Sequence, residues 1–175
     1  MNEFLVWAKT NGLTAAQAAT LARTIAESGA RLPNNSNTPR VSVHSTGAPG
    51  SLTTLIYPPI LAAMGFSTPV LSVDGGIAGA IDSLRTVTGH RSSLSPIEAE
   101  EILARIGLVH LGHGDGVYAP ADHVLWNARE ATATKGVPGL IAASLLSKKL
   151  AMGATAGVID VRGGAAGNAA APKRI

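Results

Sequence analysis

The sequence contains no cysteine and very few aromatic residues. Its 175 residues include two Trp, two Tyr and two Phe, so aromatic side chains make up only 3%. The lack of thiols excludes a disulfide framework and a thiolate metal site. Nucleic-acid-binding proteins usually set stacking aromatics beside a basic face. Here the net charge is only +3 and the cations are dispersed, so we expect no nucleic-acid partner.

Long apolar runs are also absent. No run approaches the roughly 18 residues that a membrane-spanning helix needs. The first residues, Met1 to Phe4, do not form a basic stretch followed by an apolar core, which is the pattern of a secretion signal. We therefore expect a cytoplasmic protein with no membrane partner. The hydrophobic fraction of 46% excludes a disordered chain, and the length suits one folded domain with a small appendage.

The first 32 residues are predicted to form a helical segment. Thr14 and Gln17 have the spacing of a capping box, in which each side chain binds a backbone amide at the start of a helix. Apolar residues then recur at helical spacing as far as Ala26, and Gly29 is a suitable stop. The polar stretch 33–39 is interpreted as a boundary. We expect the segment 1–32 to belong to a small α domain joined by helices near 121–151.

From residue 40 onward, short β-rich runs alternate with helical stretches, which predicts an α/β domain over 40–175. Ser95, Pro96 and Glu98 form a strong helix start, with a capping serine, proline in the first turn and glutamate in the third position. Such alternation is typical of a parallel sheet with flanking helices. The predicted strands are 41–43, 70–73, 108–111 and 157–161, and the predicted helices lie near 52–64, 79–86, 96–106, 121–131 and 138–151.

Glycines follow each predicted strand, at Gly47, Gly75, Gly112 and Gly163. Ligands of open parallel sheets bind at the carboxyl ends of the strands, where glycine lets backbone amides approach an anion closely. Glycine also serves as an ordinary turn residue, and for any single loop that interpretation is the simpler one. Four such loops at one sheet edge favour a ligand cleft.

The first candidate group of functional residues is His44 to Gly47. Its hydroxyls and amides, placed between a strand and a helix start, could cradle an oxyanion, but no lysine follows the glycines as in a Walker loop. His44 could donate a proton to a leaving group or orient a polar ring. The alternative is that His44 is merely a polar loop residue.

The second candidate group is Arg129, Ser144 and Lys148. Ser144 and Lys148 are four residues apart on a predicted helix and share one face. A guanidinium, a hydroxyl and an ammonium together suit a planar ligand with carbonyl groups and a ring N–H. The alternative is a solvated helix face, on which we expect Lys149 to lie. The stretch 110–115 carries two histidines and an aspartate, but it matches no metal-ligand spacing, so we predict no metal.

These residues together resemble the pyrimidine-nucleoside phosphorylase and thymidine phosphorylase family. Residues 44–47 resemble the family's Lys-His-Ser-Thr-Gly-Gly phosphate loop. Residues 119–122, 129–134 and 140–150 resemble its central signature, and Ile159-Asp160-Val161 resembles the strand after it. Family members cleave pyrimidine nucleosides such as thymidine or uridine with inorganic phosphate, giving free base and pentose 1-phosphate, and need no other cofactor.

The resemblance implies roles for individual residues. It places the pyrimidine base and the catalytic charge at His44, Arg129 and Lys148, with Ser144 as a further base contact. The residues that it implies for phosphate binding are Ser45, Gly47, Thr54 and Ser72. The family is longer than this chain, which implies a sheet edge that pairs with a second copy in a homodimer or with a partner chain.

The sequence departs from the family on the phosphate side. Val43 stands where the phosphate loop has lysine, and Ala48 replaces its second glycine. Ser51 and Leu52 replace an Asp-Lys pair, and Ala80 stands at the position of a phosphate-binding threonine. Two alternatives to an active phosphorylase therefore stay open. One is a non-catalytic protein that binds a pyrimidine base or nucleoside, and the other is a subunit of a split phosphorylase.

Overall fold

The computed structural model describes residues 1–34, 37–46, 52–73, 79–113 and 116–163. Within these ranges the chain forms seven helices and four strands, confirming the predicted α/β class. In chain order they are α1 (Asn2–Asn11), α2 (Ala15–Ala26), β1 (Val41–Ser45), α3 (Thr53–Ala63), β2 (Thr68–Ser72), α4 (Ala80–Leu84), α5 (Pro96–Ile106), β3 (Leu108–Gly112), α6 (Pro120–Ala131), α7 (Pro138–Ala151) and β4 (Ala156–Asp160).

The amino-terminal segment is a pair of helices. The helix predicted from the capping box is α2, in which the Thr14 hydroxyl accepts from the Gln17 amide and the Gln17 side chain accepts from the Thr14 amide. The helix α1 precedes it and ends at Gly12, whose φ of 73° lies in the left-handed region. Since α2 packs against α6 and α7, the amino-terminal helices are continuous with the core. Whether they form a separate domain stays a prediction.

The four predicted strands form two parallel pairs. Strand β1 pairs with β4 in the register Val41–Ala156, and β2 pairs with β3 in the register Thr68–Leu108. A single parallel bridge between Arg40 and Ser67 connects the two pairs at the amino ends of β1 and β2. Strand β4 is largely exposed, whereas β1, β2 and β3 are mostly buried.

Helices connect the parallel strands and cover the core. The capping box predicted at Ser95 and Glu98 is present at the start of α5. That helix ends at Gly107, whose φ of 74° allows the chain to turn directly into β3. The central core joins apolar side chains from helices at the start of the chain, from β2 and β3, and from α6 and α7. They include Leu5, Ile25, Leu71, Leu111, Leu125, Leu140 and Met152. None of the helices in the described ranges is long and apolar enough to cross a membrane.

Candidate functional site

The four residues predicted to hold the base are all buried. His44 lies on β1, Arg129 on α6, and Ser144 and Lys148 on α7, with exposed fractions between 2% and 4%. A polar side chain removed from water to this degree must find its partners within the protein or in a ligand. The partners of each residue therefore decide what the group can do chemically.

Lys148 is the centre of a buried hydrogen-bond network. Its Nζ lies 2.5 Å from the Asp122 carboxylate, 2.9 Å from the Ser144 hydroxyl and 3.0 Å from the Ser144 carbonyl oxygen. An ammonium group has three N–H donors and no acceptor, so these contacts use its full donor capacity. The helical spacing correctly predicted that Ser144 and Lys148 would meet. A ligand carbonyl that bound Lys148 would replace one of the three acceptors.

Asp122 also binds His113, and sequence reasoning assigned a role to neither. His113 Nε2 lies 2.8 Å from Asp122 Oδ2, and both side chains are buried. Burial alone would raise the pKa of Asp122, but the Lys148 ammonium and the His113 ring outweigh it and hold the carboxyl well below its usual range. Burial lowers the pKa of His113, which stays a neutral ring. The sequence signal that could have pointed to Asp122 is its place in the 119–122 motif.

His44 uses both ring nitrogens within the protein. Its Nε2 lies 2.7 Å from the carbonyl oxygen of Leu71 on β2, and its Nδ1 lies 3.3 Å from the Nζ of Lys149. The prediction that Lys149 is solvated was wrong, since only 6% of the residue is exposed. The reason is that Lys149 passes under β4 and reaches the carbonyl oxygens of Ser42 and Val158, at 2.6 and 3.0 Å.

Arg129 is held by backbone carbonyl oxygens and not by the other three predicted residues. Its Nη2 donates to the carbonyl oxygen of Lys135 at 2.7 Å, and its Nη1 is 3.5 Å from that of Leu140. The guanidinium also lies 5.9 Å from the centre of the Trp126 ring. Burial lowers the pKa of Arg129, while the negative charge of Asp122 raises it. Arg129 thus binds the α6–α7 turn and the first turn of α7, and it feels the charge of Asp122, which pairs with Lys148.

The residues predicted to bind phosphate lie at the carboxyl ends of the strands. Ser45 ends β1, Ser72 ends β2, and Thr54 is in the first turn of α3, while Gly47 falls outside the described residues. Val43, at the family's lysine position, is completely buried in β1. The arrangement places three hydroxyls at one edge of the sheet and no cation from β1 among them.

A polar group at the end of β4 was missed by sequence reasoning. The Asp160 carboxylate accepts from the Thr53 hydroxyl at 2.5 Å and from Arg162 Nε at 2.9 Å. Thr46 accepts from the Arg162 amide at 2.9 Å. These contacts tie the end of β4 to the end of β1 and the start of α3. Asp160 stood within the 159–161 motif, but nothing in the sequence paired it with Arg162.

Metal ligands do not gather in the part of the chain that the structure describes. No group of three or more His, Asp or Glu side chains there could hold an ion. His113 contacts Asp122, whereas His110 lies near His90. Gly114 and Asp115, the other members of the candidate stretch, are outside the described residues. The expectation of no cofactor other than phosphate stays a prediction.

Comparison with known proteins gives a consistent family. The chain is 36% identical over 160 residues to thymidine phosphorylase of Rattus norvegicus and to that of Homo sapiens, matching 89% of this chain and 33% of each relative. Thymidine phosphorylase of Mycobacterium tuberculosis is 37% identical over 164 residues, covering 91% of this chain and 37% of the relative. This chain is related to the thymidine phosphorylase family. No family model matches it.

The relationship to thymidine phosphorylase confirms the resemblance found in the sequence. A match that takes in 89% of this chain includes the stretch from His44 to Lys149, which holds the buried Lys148 network. The chain spans about a third of the length of the curated thymidine phosphorylases that it matches. The activity and substrates of the whole enzymes are therefore matters for proposal.

Proposed function

We propose that the protein binds a pyrimidine nucleoside beside Lys148, Ser144 and His44 and cleaves it with inorganic phosphate, giving free base and pentose 1-phosphate. The observation that carries this proposal is the buried Lys148 ammonium, held by Ser144 and Asp122 where the family resemblance places the base. A buried cation with fixed orientation is suited to a carbonyl group that gains negative charge. We place the protein in the cytoplasm.

In the proposed reaction a phosphate oxygen forms a bond to the anomeric carbon of the sugar. The bond from that carbon to the base nitrogen breaks, and its electron pair stays on the base. The base then takes up the proton that the attacking hydrogen phosphate loses, passed on by water. Lys148 and Arg129 stabilise the negative charge that develops on the base, and this differential binding of the transition state lowers the barrier. His44 donates a hydrogen bond to the base in exchange for Leu71.

On the phosphate side we assign the hydroxyls of Ser45, Thr54 and Ser72, with Arg162 as the cation. The loss of a lysine at position 43 removes a charge-assisted hydrogen bond, typically about 1.5–3 kcal/mol. Arg162 contacts Asp160 through Nε at the end of β4, beside the Thr46 hydroxyl, and its guanidinium could partly replace that lysine. Gly47 is included in this set on the resemblance alone.

A second candidate function is binding of the base or nucleoside without turnover. The observations that favour it are the buried valine at position 43 and Ala80 at the start of α4, because both replace phosphate-binding residues of the family. In that case the Lys148 network holds the ligand, and the weakened phosphate side leaves the nucleoside intact.

We also infer that a second copy of this chain or a partner chain covers β4. Val158 and Ile159 on this strand are exposed, and a cavity of about 350 Å³ opens between β4, α2 and α7. An exposed strand edge with apolar residues is a ready site for pairing. Light scattering of the purified chain tests this, and a monomer at micromolar concentration would contradict a homodimer.

Calorimetric titration with uridine, thymidine and uracil, with and without phosphate, tests the proposed function when paired with chromatography of the released base. Binding with phosphate-dependent base release supports the phosphorylase, whereas binding without release supports the second candidate. Lys148→Met should weaken base binding roughly 10- to 150-fold, because a hydrogen bond to a charged group is lost. Lys9→Met, at an exposed position in α1, is the matched control. Unchanged affinity in Lys148→Met would refute the assignment.

A further inference from the structure

Lys149 is a buried cation that the proposed base and phosphate contacts do not use. Its Nζ has three neighbours that can accept a hydrogen bond: the carbonyl oxygens of Ser42 and Val158, and Nδ1 of His44. Within the described ranges no carboxylate pairs with it. A buried ammonium without a countercharge is costly, so its retention in this position calls for a role.

The contacts of His44 determine where its ring proton lies. The carbonyl oxygen of Leu71 can only accept, so Nε2, at 2.7 Å, must carry a hydrogen and donate it. The Lys149 ammonium can only donate, so Nδ1 must offer its lone pair. The two partners together specify a neutral ring protonated on Nε2. A second proton on Nδ1 would point directly at an ammonium group.

The backbone of β4 leaves space for the lysine stem. At Gly157 an added Cβ would lie 2.7 Å from Lys149 Cδ, 3.0 Å from Cε and 3.2 Å from Nζ. Gly157 pairs with Ser42 in the β1–β4 register, which is the residue whose carbonyl oxygen Lys149 binds. Glycine at this position therefore lets the ammonium reach the junction of the two strands.

We propose that Lys149 is a positioning residue that keeps His44 neutral with its proton on Nε2. The proposal rests on the proposed function only for its consequence: His44 then acts as a hydrogen-bond donor to the base and does not transfer a proton to it. The charged groups that face His44 are Lys148 and Lys149 from α7 and Asp122 from α6.

The electrostatics of the pair agree with this geometry. Burial, and next the charge of Lys149, lower the pKa of His44 well below its ordinary value. Lys148 acts in the same direction, while the bond to Leu71 and the charge of Asp122 oppose it. Burial, together with the charge of Lys148, lowers the pKa of Lys149 to about 8. At neutral pH Lys149 therefore keeps its proton and His44 stays neutral.

Nitrogen-15 NMR of the imidazole rings, recorded from pH 5 to 8, tests the proposal in the intact chain. His44 is assigned among the five histidines by the signal missing in His44→Asn. In the wild type we expect a neutral ring protonated on Nε2 across this range. A wild-type ring that titrates near its ordinary value of 6.5, or carries its proton on Nδ1, would overturn the proposal.

Two variants sharpen this test. Lys149→Met should raise the proton affinity of His44 at least tenfold, and Gly157→Ala should raise it by less, because the methyl group only displaces the lysine stem. Lys9→Met is the control, with no change expected. A His44 titration in Lys149→Met identical to the wild type would also refute the proposal. Because the experiment measures the titration of the His44 ring, its result does not depend on whether a nucleoside is cleaved.

Discussion

The two ends of β1 each hold a buried cation, and the two cations are satisfied in different ways. Just before the amino end, Arg40 binds both carboxylate oxygens of Glu100, at 3.0 and 3.1 Å. Arg40 also donates to the carbonyl oxygens of Pro33 and Met152, at 3.3 and 3.2 Å. Near the carboxyl end, Lys149 is held by carbonyl oxygens and an imidazole. One end has a matched charge pair, and the other has a cation without a carboxylate.

This difference indicates that Arg40 stabilises the fold, whereas Lys149 lies in the candidate ligand site. Among the buried residues described, Lys148 pairs with a buried carboxylate, Asp122, whereas Arg129 and Lys149 are held by neutral groups. The surplus of positive charge costs stability in the empty protein and is offset when a ligand brings negative charge. Arg40 has no charge left for a ligand, because its guanidinium binds the linker, α5 and the end of α7 and holds these three segments together.

The largest effect is expected at the carboxyl end, from Asp122→Asn. This change leaves the Lys148 ammonium buried without its charge partner, so we expect the free energy of unfolding in urea to fall by about 3–5 kcal/mol. The pKa of Asp122 is lowered in the folded state. Its contribution to the free energy of unfolding is therefore complete above pH 5. The difference in unfolding free energy between wild type and variant should narrow as the pH falls below 3.8, the ordinary pKa of an aspartate. A gap that stays constant down to pH 2 would contradict the ion pair.

At the amino end, Arg40→Met should cost about 2–3 kcal/mol of unfolding free energy. The estimate is smaller than for a completely buried pair, because about a third of the Glu100 side chain is exposed and can be solvated. Urea denaturation measures the loss, and titration with uracil should show unchanged affinity per folded molecule. A weakened affinity would mean that the amino end also shapes the site.

A fall in pH should destabilise the protein through its buried histidines and not through Arg40. The pKa values of His44, His110 and His113 are lowered by burial, that of His110 to about 4. Between pH 7 and 5 the unfolded chain binds protons that the folded chain does not, so stability should fall as the pH falls. For His110 alone we expect the free energy of unfolding to fall by roughly 1–2 kcal/mol over this pH range. His110→Gln should flatten the slope, whereas Arg40→Met should leave it unchanged, and parallel slopes in both variants would contradict this.

The smallest effect is expected at the surface pair of Arg85 and Asp82, whose charged atoms lie 3.3 Å apart on α4. Exposed ion pairs contribute at most about 1 kcal/mol, so Arg85→Ala sets the scale for a cation outside the core. Urea denaturation of this variant should give an unfolding midpoint close to that of the wild type. A loss as large as that of Arg40→Met would remove the distinction between anchored and exposed cations.

Much of the fold could be read from local patterns. The capping boxes at Thr14 and Ser95 and the alternation of strands and helices predicted the four strands and most of the helices found in the described residues, because these signals depend on neighbouring residues alone. Helix α1 was not predicted individually, since its large apolar residues Phe4 and Trp7 are exposed and its buried face is narrow. The exposure of β4 depends on what covers it, which no local pattern specifies.

The site was predictable where one helix carries it. The spacing of Ser144 and Lys148 was sufficient to place them in contact. The ion pair of Lys148 with Asp122 needs α6 to approach α7, and the burial of Lys149 needs the glycine at position 157 on a strand elsewhere in the sequence. The sequence analysis placed Lys148 in the site and Lys149 on a solvated face, and only tertiary packing shows that Lys149 is buried as well.

The single bridge between β1 and β2 has a consequence for the exchange of protons with solvent. Near the carboxyl end, the His44 ring links β1 to β2 through the Leu71 carbonyl oxygen. The ring is buried, so its Nε2 proton can reach water only when this part of the structure opens. We expect the exchange rate of that one proton to report how often the two halves of the sheet separate, and a bound ligand to change it.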